Sequence, residues 1–550
     1  MAFGPEFIRG VAAALNKKLP WRVSRVEGGD SWVALKVSYE DQWLLISWGA
    51  GSSGCCLAGS GEVAALREGS PARTPLAEAL KSRVVRGDIV SARQINRDRV
   101  LELAIVRRVA AGTTIPYFLV IEATEPVGNF LALDGERRIE EAARHSAPDQ
   151  NRYRTLLPGH AYVPPPIFEG PTPQELAELR FEDVQNLAGI GRPLTRLIQA
   201  HWEERDPAAW LAALQEADTD SGLPCQATAK GYLTRLNVSF PEAVALGDDA
   251  LSAAGRGVLS PLLRRGRERR LHEIDAKLKR AAKAKERHRD GLLKQLRDCE
   301  AAEVFRQKGE AILAHISDIP PRAESVTLTD WTGETFAVTL DPKLSPSRNA
   351  ERYFKKYRKA KGDPQKIQEG VAALDSAIRE LMEQRDILEA IDGPEDFERA
   401  VKDLESWLAP DAGNEKNRAK GKKRAKESEP PYLVYEKEGL TILVGLSARG
   451  NRFVTFRQAR PEDIWLHAHE LPGSHVIIRG TSREELEGLR RSVLEFAAGL
   501  AAGHSKGRNS GSVLVDYTER RYVRPVPGTV ALVTYVNPGT LRVAPKEDIS

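Results

Sequence analysis

The chain has 550 residues, 29% charged and 41% hydrophobic, with 81 Lys and Arg against 77 Asp and Glu. That length suggests about three to four domains, each able to bury a core, and excludes a small scaffold held together by disulfides or metal. A net charge of +4 is too small to name a partner, so where the charge sits matters more than its total.

The cysteines, Cys55, Cys56, Cys225 and Cys299, form neither a CxxC motif nor a disulfide framework, which fits a reducing compartment. Acidic Glu6 comes early and no apolar signal core follows it. Nowhere does an apolar run approach the ~20 residues that span a bilayer. A soluble, cytoplasmic protein with no membrane partner is expected.

Phe7, Val11, Leu15 and Leu19 share one face of a helix over Phe3 to Leu19. Short β-rich runs separated by turn residues follow: Trp21–Val26, Trp32–Val37, Trp43–Trp48, Leu101–Ile105, Tyr117–Glu122 and Phe130–Leu133. They predict an antiparallel sheet domain ending near residue 150. Asn96 to Arg99 precedes one strand. It is either a charged hairpin turn, or a presented pair in which Arg99 meets a phosphate or base edge while Asp98 orients it or accepts from a base amino group.

After the Pro-rich stretch Tyr162 to Ile167 the pattern turns helical. Leu187 to Ile198, LAGIGRPLTRLI, resembles the turn of a helix-hairpin-helix, whose amides and helix amino terminus can meet phosphate. Gly-x-Gly also ends ordinary helices. From Arg264 to about Ala314 a long charged helix keeps Leu271, Ile274 and Leu278 in register. A second series runs through Ile367, Val371, Leu374, Ile378, Leu381 and Leu388. Two such arms suit an antiparallel coiled coil with an insert at its tip. The insert carries strands within Ser325 to Leu340 and then a basic run. There Arg352, Lys355, Lys356 and Arg358 interleave with Tyr353, Phe354 and Tyr357, either as a nucleic-acid face or as a solvated helix with aromatics packed inward.

Residues 409–430 read as a basic linker; Asn414 to Lys426 carries seven Lys or Arg against Glu415 alone. Beyond it, strands are expected at Tyr432–Tyr435, Leu440–Val444 and Arg452–Phe456. A strand-turn-strand over Asp463 to Arg479, DIWLHAHELPGSHVIIR, comes next, then a helix over Ser482 to Gly503, with Val530–Val536 and Leu541–Val543 closing the sheet. Trp465, His467, His469, Ser474 and His475 fall on or beside one loop. Such a loop can ligate a metal, act as a base, stack on a nucleobase, or simply pack. The Cys partners usual in zinc sites are absent, and no Ser-His-Asp order assembles from one loop, so no metal, no cofactor and no catalytic residue are expected. Lys506, Arg508 and Asn509 are expected to join these residues in one polar patch.

Taken together, DIWLHAHELPGSHVIIR, HSKGRNSGSVLVDYT with YVRPVPG after it, LDPKLSPSRNAERYFKKY from Leu340, RYRTLLPGHAYVPPP from Arg152, and the Asp98-Arg99 pair resemble the NFACT ribosome quality-control proteins. The pieces come in family order and span nearly the whole chain. The resemblance implies a multidomain α+β protein: an antiparallel-sheet amino-terminal domain (1–165), a helix-hairpin-helix-like helical domain (166–262), a coiled-coil arm with tip insert (263–408), the linker (409–430) and a carboxy-terminal α/β domain (431–550).

By the same resemblance the protein binds large ribosomal subunits (23S rRNA) obstructed by peptidyl-tRNA and a stalled nascent chain. It recruits alanine tRNA for template-free alanine tailing, with peptide bonds made by ribosomal RNA and not by this chain. Asp98 and Arg99 are then the tRNA contacts. Two departures stand out. Gly4 follows Phe3 where the family commonly has Asp, and Glu125-Pro126 stands where Gly-Arg is usual, which removes a cation from an RNA face and adds an acid.

Two other classes compete. The family's amino-terminal region looks similar to base-excision DNA glycosylases, and a Pro5-Glu6 pair is present. Pro5, however, is internal, and its amide nitrogen cannot attack. A fibronectin-binding surface adhesin is the other, against which the missing signal and anchor motifs count.

Overall fold

The computed structural model describes residues 2–546 except 69, 71–73, 111, 125–127, 220–221, 330–332 and 410–428. Glu125-Pro126 and nearly all of the basic linker therefore lie outside the described residues. The chain divides into two compact units, Met1–Arg270 and Leu271–Ser550, with the division inside the single helix Leu259–Ala314. Among the described residues no helix is long and apolar enough to cross a membrane.

The first unit is built on a nine-stranded antiparallel sheet in the order Ile139–Ala142, Asn129–Leu133, Thr113–Glu122, Val100–Ala110, Asp88–Ile95, Trp21–Gly29, Trp32–Val37, Trp43–Ser47, Gly54–Ala58. The expected strands are all present, joined by Gly54–Ala58, Asp88–Ile95 and Ile139–Ala142. Asp88–Ile95 pairs with both Trp21–Gly29 and Val100–Ala110 and so stitches two meanders into one sheet. Its run of Ser91, Arg93 and Gln94 hides the β signal, because only alternate residues face the core.

The helix Pro5–Lys18 packs on this sheet. Proline in its first turn costs no hydrogen bond, Lys17 and Lys18 in its last turn complement its dipole, and Phe7, Ile8, Val11 and Leu15 are buried. Ahead of it, Ala2–Phe3 pairs in parallel with Tyr232–Thr234, so the chain's start belongs to a small sheet of the segment after residue 166. That pairing fixes the helix amino terminus beside the helical segment.

In the second unit, Leu259–Ala314 and Pro364–Glu389 run antiparallel. Arg289 pairs with Asp375 at 3.1 Å, and Ile274 and Leu278 share a core with Leu381 and Leu388. Near its base this core takes in Phe397, Val401 and Leu404 of Pro394–Leu408, making three helices where the heptads predicted two. The tip is a hairpin, Ser325–Thr329 with Thr335–Thr339, over the helix Pro346–Ala360.

The carboxy-terminal part has a six-stranded sheet in the order Tyr432–Lys437, Leu440–Gly445, Val476–Ile478, Ile464–Ala468, Val513–Glu519, Gly539–Val543. Three expectations change here. Arg452–Phe456 is not a strand: Ser447 accepts from the Gly450 N–H and starts a helix, Ala448–Phe453, which continues as a π turn, Val454–Gln458. The β-branched Val454 and Thr455 mimicked a strand and are buried all the same. The helix over Ser482 to Gly503 is two helices, Arg483–Glu487 and Arg491–Gly503, broken at Gly488. Val533–Tyr535 does not close the main sheet but pairs with Val523–Pro525 in a separate ribbon.

The carboxy-terminal part is clipped to the arm of the same unit by buried carboxylates. Glu380 accepts from the backbone N–H groups of Val530 (2.8 Å), Ala531 (2.5 Å) and Leu532 (3.3 Å). Asp403 accepts from the Ser447 hydroxyl at 2.7 Å, and Gln384 from the Ala448 N–H.

Candidate nucleic-acid interface

The Asp98-Arg99 pair completes a four-residue hairpin loop, Asn96 to Arg99, between the paired residues Ile95 and Val100. Asn96 and Arg97 both have positive φ, 54° and 53°, and the Asp98 N–H bonds back to the Ile95 carbonyl at 3.0 Å. This is the primed geometry that matches strand twist, and Asn adopts it readily. An Arg there is strained by about 1 kcal/mol or more. Asp218 holds it, accepting a fork of bonds from Arg97 at 3.0–3.2 Å and one further bond from Arg9. Arg97 is thus a brace. Gln94 ties the turn to the helix start by donating to the Pro5 carbonyl at 2.7 Å and the Asp98 carbonyl at 2.8 Å.

Held this way, the turn forms one wall of a cleft of about 780 Å³ whose other wall is the Gly-rich turn Leu187 to Pro193. Two features that were separate in the sequence are brought together. Gly189 takes φ +82°, open to glycine at no cost. Gly191 lets the turn close on the chain's start: a Cβ there would lie 3.2 Å from the Gly4 Cα and 2.9 Å from the Tyr232 hydroxyl. Gly191 then begins the helix Arg192–Ala200, so the amino termini of that helix and of Pro5–Lys18 both reach the cleft.

The charge balance is specific. Asp98 spends one carboxylate oxygen on the Arg99 N–H at 2.7 Å. Among the described residues the guanidinium groups of Arg99, Arg192 and Arg196 have no carboxylate partner, yet all three line the cleft. Arg99 is half-buried, and a guanidinium so placed without an internal acid is costly unless something anionic arrives. Arg192 and Arg196 lie one helical turn apart and project together. Neither was singled out from the sequence, because their partner surface is built from residues about a hundred positions away.

Beneath the cleft Glu6 is buried. Its carboxyl accepts from the Tyr232 hydroxyl at 2.8 Å, and among the described residues its other oxygen has no hydrogen-bond partner. Loss of solvation pushes its pKa up from 4.5 to about 7, against the opposing pull of the Tyr232 bond and Arg9. Gly4 finds its reason here. A Cβ at that position would fall 2.1 Å from the Tyr232 hydroxyl and 2.2 Å from a Glu6 oxygen. The space an Asp side chain at position 4 would enter already holds the carboxyl of Glu6.

The carboxy-terminal candidates are placed differently. Trp465, Ser474 and His475 are buried and present no surface to a ligand, while His467 keeps only an edge exposed. Trp465 stacks on His467, with centroids 5.7 Å apart, and meets the Tyr535 ring at a tilt of 48° and 4.8 Å. Burial drives His467 down to about 4 and His475 well below its ordinary range, so both are neutral; His475 Nδ1 bonds the Thr455 hydroxyl at 2.9 Å. Of the four readings the sequence left open, the buried side chains of this loop fit the packed one: they form an aromatic core.

Exposed His469 instead bonds Asp516 at 2.7 Å, which raises its pKa. Lys506 pairs with Asp386 at 3.3 Å, and Arg508 with Asp392 at 2.6 Å, both on the arm side of the unit; Asn509 is exposed. The Lys506 N–H donates to the Pro472 carbonyl at 2.9 Å, so this segment lies beside the His-rich loop, while its two cations are paired with acids on the arm side. Among the described residues no group of three or more His, Cys, Asp or Glu is arranged to hold a metal.

At the tip, Tyr353 is buried and donates to the Thr339 carbonyl at 2.7 Å. Lys356 lies over the Phe305 and Tyr353 rings, Arg352 approaches Asp341 at 3.6 Å, and Lys355 and Arg358 are exposed. The helix keeps its cations outward with Tyr353 packed inward.

Comparison with known proteins agrees along the chain. The family described as NFACT N-terminal and middle domains matches residues 7–246 and 262–424. A Streptococcus suis protein named Rqc2 homolog RqcH is 31% identical over 485 residues, 83% of this chain and 82% of its own length. The Bacillus subtilis protein of the same name is 28% identical over 588 residues, 100% of this chain and 99% of its own length. A solved carboxy-terminal fragment of a Streptococcus suis fibronectin/fibrinogen-binding protein shares 30% identity with a TM-score of 0.32, covering 51% of this chain and 96% of that fragment. Matching the family profile over most of its length and covering 82% and 99% of these two relatives, the chain belongs to the NFACT family.

Proposed function

We propose that this protein is a ribosome-associated quality-control factor. It binds large ribosomal subunits obstructed by peptidyl-tRNA and recruits tRNA, by family analogy alanyl-tRNA, for template-free tailing of the stalled chain. Membership of the NFACT family, with relatives named as Rqc2 homologues, supports the quality-control role.

The observation that carries the RNA-binding half is the cleft with three guanidinium groups, Arg99, Arg192 and Arg196, that have no acidic partner among the described residues, beside Asp98 and two helix amino termini. Phosphates satisfy such groups, and the second Asp98 oxygen can accept from a base amino group. No nucleophile is required on this reading, because ribosomal RNA joins the amino acids. The exposed tip cations Lys355 and Arg358 are the second contact, reaching ribosomal RNA.

The test is to recover the tagged protein from cells at low salt and sequence the accompanying RNA. Large-subunit RNA together with one alanine tRNA supports the full reading. Asp98→Ala combined with Arg99→Ala should abolish tRNA recovery while large-subunit RNA stays; tRNA recovery unchanged in that variant would defeat the assigned role. Large-subunit RNA without any tRNA from the native protein would leave subunit binding and remove tailing.

A further inference from the structure

We propose that Phe168 is a stacking platform for an unpaired nucleobase, so that the cleft takes RNA loop nucleotides and not duplex. This rests on the RNA-binding reading above and narrows it to a class of RNA element.

Phe168 follows the Pro-rich stretch and lines the same cleft as Asp98, Arg99 and Arg192. Its side chain is 57% exposed. An exposed aromatic alone means little, since much apolar surface is left outside any fold. The comparison with Phe181 is informative. That ring is also exposed but lies edge-on to Trp202 at 5.7 Å, whereas among the described residues Phe168 has no aromatic or cationic partner.

Its seat is built by backbone. A Cβ at Gly170 would lie 3.0 Å from the Phe168 ring and 2.1 Å from the Asn186 carbonyl oxygen, so only glycine allows the Phe168 segment to close against Asn186. Asn186, Gln185 and Gln199 also line the cleft, and among the described residues none of their side-chain amides makes a hydrogen bond.

The cleft therefore offers three kinds of unspent group: cations for phosphate, amides and one Asp98 oxygen for base edges, and a ring face for stacking. Duplex RNA presents phosphates and hydroxyls but keeps its base faces stacked and its edges recessed. Only an unpaired loop uses all three. Cations alone would suit either.

The test uses the full chain and two probes: a short RNA hairpin with a fluorescent adenine analogue in its loop, and a blunt duplex of the same stem. The native protein should bind the hairpin more tightly and quench the loop fluorophore. Phe168→Leu should weaken hairpin binding about tenfold, remove the quenching and leave duplex affinity unchanged; Phe168→Trp should restore both. Thermal unfolding of each variant, expected to match the native protein because the ring is exposed, excludes misfolding.

Arg99→Ala separates the two levels. If it weakens hairpin binding while Phe168→Leu does not, the stacking role is overturned and the RNA-binding reading stands. If the native protein binds neither probe, both fall.

Discussion

Three guanidinium groups in the cleft have no acid of their own among the described residues, which makes their contribution countable. Each phosphate neutralised on single-stranded RNA contributes about 0.7 to the slope of log K against log salt. Replacing Arg99, Arg192 and Arg196 together by Ala should therefore flatten that slope by about 2. The single variants should each remove about a third of this. Their effects on affinity should differ, because Arg99 is half-buried while Arg192 and Arg196 are exposed, and salt screens a buried charge less. Arg99→Ala should lose the most affinity and retain part of its deficit at high salt. Fluorescence anisotropy of a labelled hairpin across a potassium chloride series gives both quantities. Arg25→Ala, whose guanidinium pairs with Glu27 at another groove, is the control and should leave the slope unchanged. A triple variant with the native slope would refute the assignment of these groups to phosphate.

Other predictions follow from buried groups. Glu6 holds a proton in the folded state up to about pH 7, while the unfolded chain releases it near 4.5, so folding stability should fall as pH rises across that window, by up to roughly 3 kcal/mol. Glu6→Gln should remove this component from urea midpoints compared at pH 5 and pH 8, and an identical decline in both proteins would count against it. Gly4→Asp should destabilise by about 1–3 kcal/mol through overlap with Tyr232 and Glu6, with part of the loss recovered by adding Tyr232→Phe; a native melting temperature in the single variant would disprove the crowding. Glu380→Ala strips the partner from three N–H groups and should cost about 3 kcal/mol or more, lowering the calorimetric transition of the second unit by several degrees. Deuterium uptake at residues 530–532 should rise with it, and unchanged uptake would show that the carboxylate is not what protects them.

Much of the architecture was legible because it rests on period. The sheet of the first unit, the paired arm helices and the tip hairpin all carry alternation or heptads that survive without context. The errors fell where a local signal pointed one way and packing another. Val454 and Thr455 are β-branched yet helical, because the Ser447 cap and burial decide the segment. The histidine-rich loop was the most expressive stretch in the sequence, but its Trp465 and His475 are spent on an aromatic core. Conversely, Arg192, Arg196 and Phe168 look ordinary in sequence. Their meaning comes from the hairpin at Asn96-Arg97, which long-range pairing brings opposite them. Asp98 and Arg99 were visible as a pair; that Arg97 beside them is a brace required knowing where Asp218 lies.

The carboxylate of Glu380 bears on where this protein can be cut. The basic stretch before Pro431 looks like an invitation to prepare the last 120 or so residues as a free-standing fragment. Such a fragment would leave behind the acid that satisfies Val530, Ala531 and Leu532, and would uncover Leu433 and Leu446, which share a core with the arm helices. Three bare amides beside a fresh apolar seat invite another strand or another copy, so its self-association or stickiness would report the amputation and not the native protein. A fragment that begins at Leu271 keeps both sides of the joint.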